Sequence, residues 1–463
     1  MDYLLRAVQL DEGITDVAIT GTRISAIGDH LQPTEQTVVL DGRDRYLIPG
    51  LVNAHSHSLE TWMRGFIAPL PLELWLMQLY AYPIDNLDMV YLAAWQTGWD
   101  TLRSGGTTVV DHLILLPGQE LATIQTAVQA YRDLGIRAYV APLVQDVPFN
   151  ESVPGGDAIP EVGKAPETAT VVALLQEAIR TCHDPAAGIQ IVPAPTGIQL
   201  CSDILFSGCI ELAQRYDLCL HSHLLETKAQ EQLALEKYGC TAVEHLDRLG
   251  YVGARTSFAH GIWLHDRDIE ILAQRGATVV HNPLSNLRLG SGIAPVLKLR
   301  QQGVNVSIGC DGAASNDGQN LLEAVKIGSM LHNLTDADYH HWITPPQALQ
   351  MASQGGAKGL GRTDLGTIAI GQTADLVLCH LDDLSMLPHT NPTGNLIWGQ
   401  AQNVVDWLWV AGRPIIQAGQ SQTLNPSELR ERLKQYKGWR SRRAALPDLE
   451  PHYRRVMNLT AMP

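Results

Sequence analysis

The middle of the chain alternates between short apolar runs and longer stretches with helical periodicity. Eight apolar runs have the length and composition of buried strands, and helical candidates such as DMVYLAAWQTGWDTLRSG and ETATVVALLQEAIRTC lie between them. The eight runs are YLIPGLVNAHSH, GTTVVDHL, IRAYVAPLV, IQIVPAP, LCLHSHLLE, TSFAHG, ATVVHNP and VNVSIGCDG. Eight strands joined by helical crossovers predict a parallel (β/α)8 TIM barrel over residues 51–365.

The two chain ends follow a different pattern, in which apolar and polar residues alternate. TDVAITGTRISAIGD near the start reads as two strands joined at a GT turn. TADLVLCHL and VVDWLWVAGRPIIQAGQ near the end are rich in β-forming residues and bounded by Gly and Pro. We therefore predict a small composite β-sandwich domain from residues 1–50 and 366–463, the latter including a C-terminal tail. A length of 463 residues suits a barrel with a second, smaller domain.

Residues 145–166, QDVPFNESVPGGDAIPEVGKAP, are rich in Pro and Gly. This composition predicts a long loop after the third barrel strand, over the face where barrel enzymes place their chemistry.

Charge and composition narrow the range of partners. The formal net charge is −15, with 48 acidic residues against 33 basic ones. This balance argues against a nucleic-acid partner, because such binding depends on clustered Lys and Arg. KGWRSRRAALP near the C-terminus is the one short basic cluster in the sequence, and we interpret it as solvated surface.

The cysteines and the apolar runs indicate the compartment. The seven cysteines have no regular spacing and no CxxC, which favours a reducing compartment without a disulfide framework. The absence of CxxC also excludes the zinc base deaminases that need a PCxxC motif. The N-terminal run is too short for a signal sequence, and no apolar run approaches the ~18 residues of a membrane span. We expect a cytoplasmic protein with no membrane partner.

Polar residues that can bind a metal recur at the ends of the predicted strands. His55 and His57 are two residues apart, so on a strand they share one face. The full set is His55, His57, His112, His223, His260, His281 and Asp311. A single histidine at a strand end is usually structural, but six histidines and an aspartate at the catalytic end of a barrel predict a metal site.

Several motifs together resemble the amidohydrolase superfamily. They are PGLVNAHSH, GGTTVVDH, HSHLLET, AHGIWL, HNPLSNLRLGSGIAPV, GCDGAASN and GGAKGLGRTDLGTIAIGQTADLVL. The chain is most similar to the branch of cytosine, guanine and S-adenosylhomocysteine deaminases, which also holds the triazine hydrolases. The resemblance extends over roughly residues 1–420, and it implies a metal-dependent deaminase that releases ammonia from an amino-substituted nitrogen heterocycle.

The resemblance also implies the metal ligands. They fall on His55, His57, His223 and Asp311. Three imidazoles and a carboxylate suit Zn²⁺, with Fe²⁺ as the alternative. Relatives with two metals carry a lysine on the fourth strand; IQIVPAPTG has none, so we predict one divalent ion. His221 forms a second HxH with His223, and the family's HxxE spacing selects His223, which leaves His221 one layer deeper.

The same resemblance implies catalytic roles. Glu226 would protonate a ring nitrogen of the substrate, and an acid in a desolvated pocket should have a raised pKa. Asp311 would take the proton of the attacking water, and His260 would orient that water. We expect His281 and Asn286 to support or line the pocket.

The sequence indicates the residues that contact the substrate less clearly than it indicates the metal ligands. RGFIAPLPLELWLMQLYAYPIDNL resembles the segment that covers the pocket in nucleoside deaminases. Trp75 and Leu72 could wall the ring, and Asp85 matches an acidic position that contacts ribose in those enzymes. We expect His112 to hold loops together.

Two departures favour an uncharged heterocycle. PTGIQLCS places Thr196 where the nucleoside deaminases have a sugar-contacting histidine. Arg137 remains, but VAPLVQD lacks a second arginine, so a homocysteine carboxylate would lose partners. We interpret the substrate as a purine, pterin or triazine whose edge is read by Thr196 and Gln199, unless these two residues only line a loop.

Other functions also agree with the sequence. They are an S-adenosylhomocysteine or methylthioadenosine deaminase, a formimino deiminase and a triazine chlorohydrolase on the same scaffold. An inactive scaffold is disfavoured because the four ligands and Glu226 are all present. Relatives commonly form dimers, so we expect a homodimer or a higher homo-oligomer.

Overall fold

The computed structural model describes residues 2–82, 84–152, 165–399, 403–438 and 454. The strands of this part of the chain are β1 (Asp2–Leu10), β2 (Gly13–Thr20), β3 (Arg23–Gly28), β4 (Thr37–Asp41), β5 (Arg45–Pro49), β6 (Leu51–Ser56), β7 (Gly106–Leu113), β8 (Arg137–Val144), β9 (Ile189–Ile191), β10 (Ala194–Pro195), β11 (Leu220–Leu224), β12 (Thr256–His260), β13 (Thr278–His281), β14 (Asn305–Ile308), β15 (Leu376–His380), β16 (Val405–Val410), β17 (Arg413–Gln417) and β18 (Gln420–Ser421).

Strands from both chain ends form one mixed sheet, as the alternating patterns predict. Among the described residues this sheet has nine strands, in the order β18-β17-β16-β15-β5-β1-β2-β3, with β4 beside β1. β5 and β15 join the two ends in antiparallel register, with Leu47 opposite Leu378. Tyr3 and Trp409 stack edge to face on the sheet and are fully buried. Their burial explains why the distant ends stay together.

The parallel core consists of two groups of strands, one of five and one of four. One group orders β6, β7, β8 and β10, with β9 also on β8, and the other orders β11 to β14. The Asp311 amide donates to the His55 carbonyl at 2.9 Å, and the His223 amide donates to the Thr196 carbonyl at 3.1 Å. These two bonds connect the groups. The fold class predicted from the sequence is confirmed, with the fourth predicted strand divided into β9 and β10.

The run YLIPGLVNAHSH contributes to both sheets rather than to one strand. β5 ends at Pro49 and β6 begins at Leu51, so Gly50 lies at the junction. A Cβ at Gly50 would come within 2.3 Å of the Thr107 hydroxyl, so the close passage of β7 requires glycine there. The chain therefore crosses from the terminal sheet into the barrel just before the first histidine pair.

The helices pack outside the parallel strands. They are α1 (Leu72–Tyr80), α2 (Leu87–Arg103), α3 (Glu120–Leu134), α4 (Thr168–Cys182), α5 (Asp203–Tyr216), α6 (Lys228–Tyr238), α7 (Ala242–Arg248), α8 (Asp266–Arg275), α9 (Pro283–Arg288), α10 (Val296–Gln301), α11 (Leu321–Met330), α12 (Pro345–Gln350), α13 (Gly356–Gly359), α14 (Pro392–Trp398) and α15 (Pro426–Gln435). Asn86 caps α2 by accepting from the Met89 amide, and Gly135 ends α3 at φ 77°.

Two sequence predictions fall largely outside the described residues: positions 153–164 of the loop after β8, and positions 439–447 of the basic cluster. All seven cysteines are buried and free of disulfides, as their spacing predicts. Across the described part of the chain, no helix combines the length and apolar character that crossing a membrane requires.

Candidate active site

The four predicted metal ligands converge at the carboxyl end of the barrel. His55 lies on β6 and His57 directly after it, while His223 lies on β11 and Asp311 follows β14. Nε2 of His55 and Nε2 of His57 lie 3.2 and 3.4 Å from Oδ1 of Asp311. Nε2 of His57 lies 3.2 Å from Nε2 of His223. The donor atoms thus surround one point.

The tautomers of two ligands follow from their partners. Nδ1 of His57 donates to the His112 carbonyl at 2.6 Å, and Nδ1 of His223 donates to the Thr196 carbonyl at 2.7 Å. A carbonyl only accepts, so in each neutral ring Nε2 carries the lone pair. Two lone pairs then face each other across 3.2 Å. A cation between them would resolve this arrangement, and so these residues fit a metal ion.

Nε2 of His55 is a third nitrogen that is free to bind a metal ion. Its Nδ1 lies 2.8 Å from Nε2 of His221, whose own Nδ1 contacts the Ser257 hydroxyl at 2.8 Å. Nε2 of His55 is buried and has no hydrogen-bond partner among the described residues. A second group, His55, His112 and His221, is also close enough to share an ion. Both nitrogens of His221 are already engaged, however, so this residue lies behind His55 as a support.

Electrostatics keep these groups in the forms that bind metal. Burial lowers the pKa of His55, His221 and His223 well below the usual value, which favours neutral imidazoles. Burial raises the pKa of Asp311, but the adjacent histidines, His55 foremost, hold it well below normal. Three imidazole nitrogens and one carboxylate match a zinc donor set.

Glu226 lies beside this point, on the loop that follows β11. Its Oε2 is 3.5 Å from Nε2 of His260, and the Ser291 hydroxyl donates to Oε1 at 3.4 Å. Burial raises the pKa of Glu226 well above its ordinary value, and the charges of Asp311 and Glu73 raise it further. A neutral carboxyl group next to the ligands is therefore available as a proton donor.

His260 is aimed at the same point by Asn286. Its Nδ1 lies 2.9 Å from the Asn286 side-chain oxygen, and its Nε2 lies 3.8 Å from Oδ2 of Asp311. The backbone of His260 has φ 75° and that of Asp311 has φ 62°, a left-handed region that non-glycine residues rarely adopt. Such strain at two strand ends is typical of functional positions.

A cavity of about 60 Å³ opens onto these groups. Its lining residues are His57, Glu60, Leu72, Trp75, Leu76, Leu79, Ile114, Leu143, Thr196, Gln199, Leu200, His223, Glu226, Gln230, His260, Leu289, Asp311 and Ser315. Trp75, Thr196 and Gln199 line this cavity, and their contacts with a substrate stay predictions. The hydroxyl of Thr196 is held by the Val144 carbonyl at 2.9 Å.

Asp85 and His281 do not line this cavity, whereas His112 stacks on His223 with ring centroids 4.8 Å apart. Asp85 is exposed and is not among the lining residues. His281 is buried outside the lining, with Nε2 3.2 Å from Nε2 of His332. Nε2 of His112 lies 3.2 Å from the Ala194 carbonyl. Contacts of Asp85 and His281 with a substrate stay predictions.

Sequence reasoning missed Glu60, although it lies only three residues after His57. It occupies a short 3-10 helix, Ser58–Met63, and is 3% exposed. Its Oε2 accepts from the Ala314 amide at 3.1 Å and from the Ser315 hydroxyl at 3.4 Å. Burial raises the pKa of Glu60 to about 8. An acidic residue one helical turn beyond an HxH pair was the available signal.

Comparisons with known proteins agree with this geometry. Residues 46–415 match the amidohydrolase family. A 5'-deoxyadenosine deaminase of Methanothermobacter thermautotrophicus is 32% identical over 421 residues, covering 90% of this chain and 92% of the relative. A 5-methylthioadenosine/S-adenosylhomocysteine deaminase of Thermococcus sibiricus is 32% identical over 409 residues, covering 87% and 89%. The crystal structure of atrazine chlorohydrolase from Arthrobacter aurescens, complexed with zinc, superposes with a TM-score of 0.86 at 25% identity, covering 94% of this chain and 99% of that one.

Proposed function

Because the chain belongs to the amidohydrolase family, we propose that it is a metal-dependent hydrolytic deaminase of an amino-substituted nitrogen heterocycle. The observation that carries this proposal is the convergence of His55, His57, His223 and Asp311 beside the buried acid Glu226. The substrate is a small purine, triazine or related ring that fits between Trp75 and these groups. The reaction is hydrolysis of a carbon–nitrogen bond outside any peptide, with ammonia as the leaving group.

We propose that one divalent ion, Zn²⁺ before Fe²⁺, occupies the four-residue site. Zinc is present in the crystal structure of the atrazine chlorohydrolase, which supports zinc here, and the absence of a lysine from the fourth predicted strand supports a single ion. When bound, such an ion lowers the pKa of a water ligand from ~15.7 to about 7 and so supplies a nucleophile near neutral pH.

The surrounding residues handle the protons. Oδ2 of Asp311, near Nε2 of His260, accepts the proton lost by the attacking water. Glu226 donates its carboxyl proton to a ring nitrogen, which draws electrons away from the attacked carbon. Nδ1 of His260 donates to the Asn286 side-chain oxygen, so the lone pair on Nε2 accepts a hydrogen bond from the attacking water and orients it. The proton held by Asp311 then passes to the amino group, which leaves as ammonia. As the carbonyl forms, the hydroxyl proton of the tetrahedral centre returns to Glu226.

A panel of purified substrates tests the proposal. The enzyme, loaded with zinc, is incubated with adenine, guanine, adenosine, 5'-methylthioadenosine, S-adenosylhomocysteine, pterin, cytosine and melamine, and ammonia is measured. We expect ammonia from at least one ring and none from formiminoglutamate. Release from formiminoglutamate alone would assign the site to an imine-removing deiminase instead.

The structural similarity to atrazine chlorohydrolase favours one second candidate, displacement of chloride from a triazine carbon. The same nucleophile and the same acid would serve, since both reactions attack a carbon between ring nitrogens. Atrazine added to the panel, with chloride measured in place of ammonia, separates the two leaving groups. Chloride release without ammonia from any amine would favour this second candidate.

A further inference from the structure

A second cavity adjoins the candidate active site. It is lined by Leu59, Glu60, Met63, Leu79, Tyr82, Ile84, Ile114, Leu115, Leu116 and Pro117, and we call it the apolar annex. Glu60, Leu79 and Ile114 also line the cavity at the metal ligands. The two spaces therefore adjoin at these three side chains.

Most of the free space lies in the annex. Its volume is about 330 Å³, against about 60 Å³ for the cavity at the ligands. The smaller cavity is lined by Trp75 and the reacting groups, so the ring that reacts belongs there. A substituent that extends past Glu60, Leu79 and Ile114 would enter the annex.

The described residues that line the annex are mainly apolar. Of the described residues that line the annex and the ligand cavity, none is Lys or Arg. The arginines nearest in sequence to the site are engaged elsewhere: Arg64 pairs with Asp100 at 2.8 Å, and Arg288 pairs with Asp317 at 2.9 Å. Arg137 is bound to Asp375 at 3.0 Å. A carboxylate in the annex would be desolvated without a cationic partner, which is strongly unfavourable.

From this adjoining apolar space we infer that the substrate ring carries an uncharged apolar substituent, which the annex binds. This inference rests on the proposed function and specifies its substrate class. Alkyl and alkylthio groups gain affinity there, by about fourfold for each methylene removed from water. Amino-acid substituents of the same length are rejected, because the annex desolvates their charges and its described lining residues include no Lys or Arg.

Two matched pairs of probes test the inference by calorimetric binding. The first pair is 5'-methylthioadenosine and S-adenosylhomocysteine, which share adenosine and differ in the charged amino-acid group. The second pair is a butylamino-diaminotriazine and its carboxypropylamino counterpart. In at least one pair we expect the apolar probe to bind ten times more tightly or better. Equal or tighter binding of the charged probe in both pairs, or no binding of either apolar probe, would overturn the inference.

Substitutions at Leu115 test whether the annex causes the tighter binding of the apolar probes. Leu115 is half-buried and lines the annex but not the ligand cavity. Leu115→Trp should fill the space and weaken the apolar probe at least tenfold, with no effect on unsubstituted adenine or melamine. Leu115→Arg should improve binding of the charged probe. Ile204→Trp on α5, 71% exposed, is the matched control and should change neither affinity.

The outcomes separate this inference from the proposed function. If unsubstituted rings release ammonia while Leu115→Trp leaves apolar binding unchanged, the deaminase stands and the annex assignment fails. Equal weakening of substituted and unsubstituted probes by Leu115→Trp would also overturn it, as a general structural effect. If the apolar probes bind through the annex but no ring releases ammonia, the annex assignment stands and the deaminase fails.

Discussion

The hydroxyl of Thr227 donates to Oε1 of Glu73 at 2.6 Å, which connects α1 to the residue that follows Glu226. Both side chains are buried. α1 also contributes Trp75 to the cavity wall. One hydrogen bond therefore links the wall of the cavity to the loop that carries the proposed acid.

Removing this hydroxyl should destabilise the fold. Thr227→Val leaves Oε1 of the buried Glu73 without its donor, and an unpaired buried acceptor costs about 1–3 kcal/mol in the free energy of unfolding. Urea denaturation measures the change. Thr181→Val is the control: Thr181 is exposed on α4 and bonds only locally, so its loss should cost less than about 0.5 kcal/mol. An equal loss of unfolding free energy in the two variants would show that the hydrogen bond to Glu73 stabilises the fold no more than a local surface bond does.

Glu226→Gln should lower turnover without removing the metal. The amide keeps the size of the side chain but cannot donate the proton of a carboxyl group, and general acid catalysis is worth about 10²–10⁴-fold. We expect kcat to fall at least ~10²-fold, with metal content, measured by mass spectrometry, unchanged. Glu177→Gln on the exposed face of α4 is the control. Unchanged turnover in Glu226→Gln would remove the proton-donor assignment.

Much of this site could be read from the sequence because strand ends have strong local signals. The first HSH motif, from His55 to His57, marks the end of β6, and the second, from His221 to His223, marks the end of β11. Any parallel barrel brings such strand ends to one face. Glu60 carried only the weaker signal of an acidic residue one helical turn after an HxH pair, and Glu73 carried none. They reach the site through a 3-10 helix and α1, whose positions depend on packing against α2 and the loop after β11 rather than on periodicity.

The same limit explains Asp85 and His281. Asp85 follows α1 in the segment that covers the cavity, but its side chain faces solvent. His281 ends β13 as predicted, yet it packs against His332 after α11, a partner 51 residues away. Spacing places such residues near an end of the barrel, while their direction is set by long-range contacts that a single sequence does not display.

The two histidines of the second HxH should respond differently to substitution. His223→Ala removes a proposed ligand, so we expect the purified protein to lose its metal. His221→Ala removes only the support of His55, and such outer partners are typically worth about 10–100-fold in metal affinity. Competition with a chelator measures both affinities. His340→Ala, at an exposed site on the surface, is the control. A larger loss in His221→Ala than in His223→Ala would reverse the assignment.

Metal removal should affect stability as well as activity. An ion that binds only the folded state adds RT ln(1 + [L]/Kd), about 4 kcal/mol when the free ion is 1,000 times Kd. Dialysis against a chelator should therefore lower the melting temperature and abolish turnover, and added Zn²⁺ should restore both. In His223→Ala the chelator should have no further effect on melting. A chelator effect of equal size in that variant would point to a metal bound elsewhere.

Acid should destabilise the protein through His332, which is buried against His281. Burial lowers the pKa of His332 to about 4, below the ordinary value of 6.5. The unfolded chain therefore takes up a proton as the pH falls below 6.5 while the folded chain stays neutral, so stability is retained above 6.5 and lost progressively toward pH 4. Between pH 7 and 5 this residue should account for about 2 kcal/mol of the loss.

His332→Gln isolates that contribution, since glutamine can bond to His281 but does not titrate in this range. Because the proposed metal ligands also titrate, the variant is compared with wild type. For each protein, urea unfolding at pH 7 and at pH 5 gives the loss in the free energy of unfolding between these two pH values. We expect the pH-dependent loss to be smaller in His332→Gln. The exposed His340→Gln should retain the full loss, because its side chain gains no such burial on folding. An unchanged pH dependence in His332→Gln would mean that His332 is protonated in the folded protein.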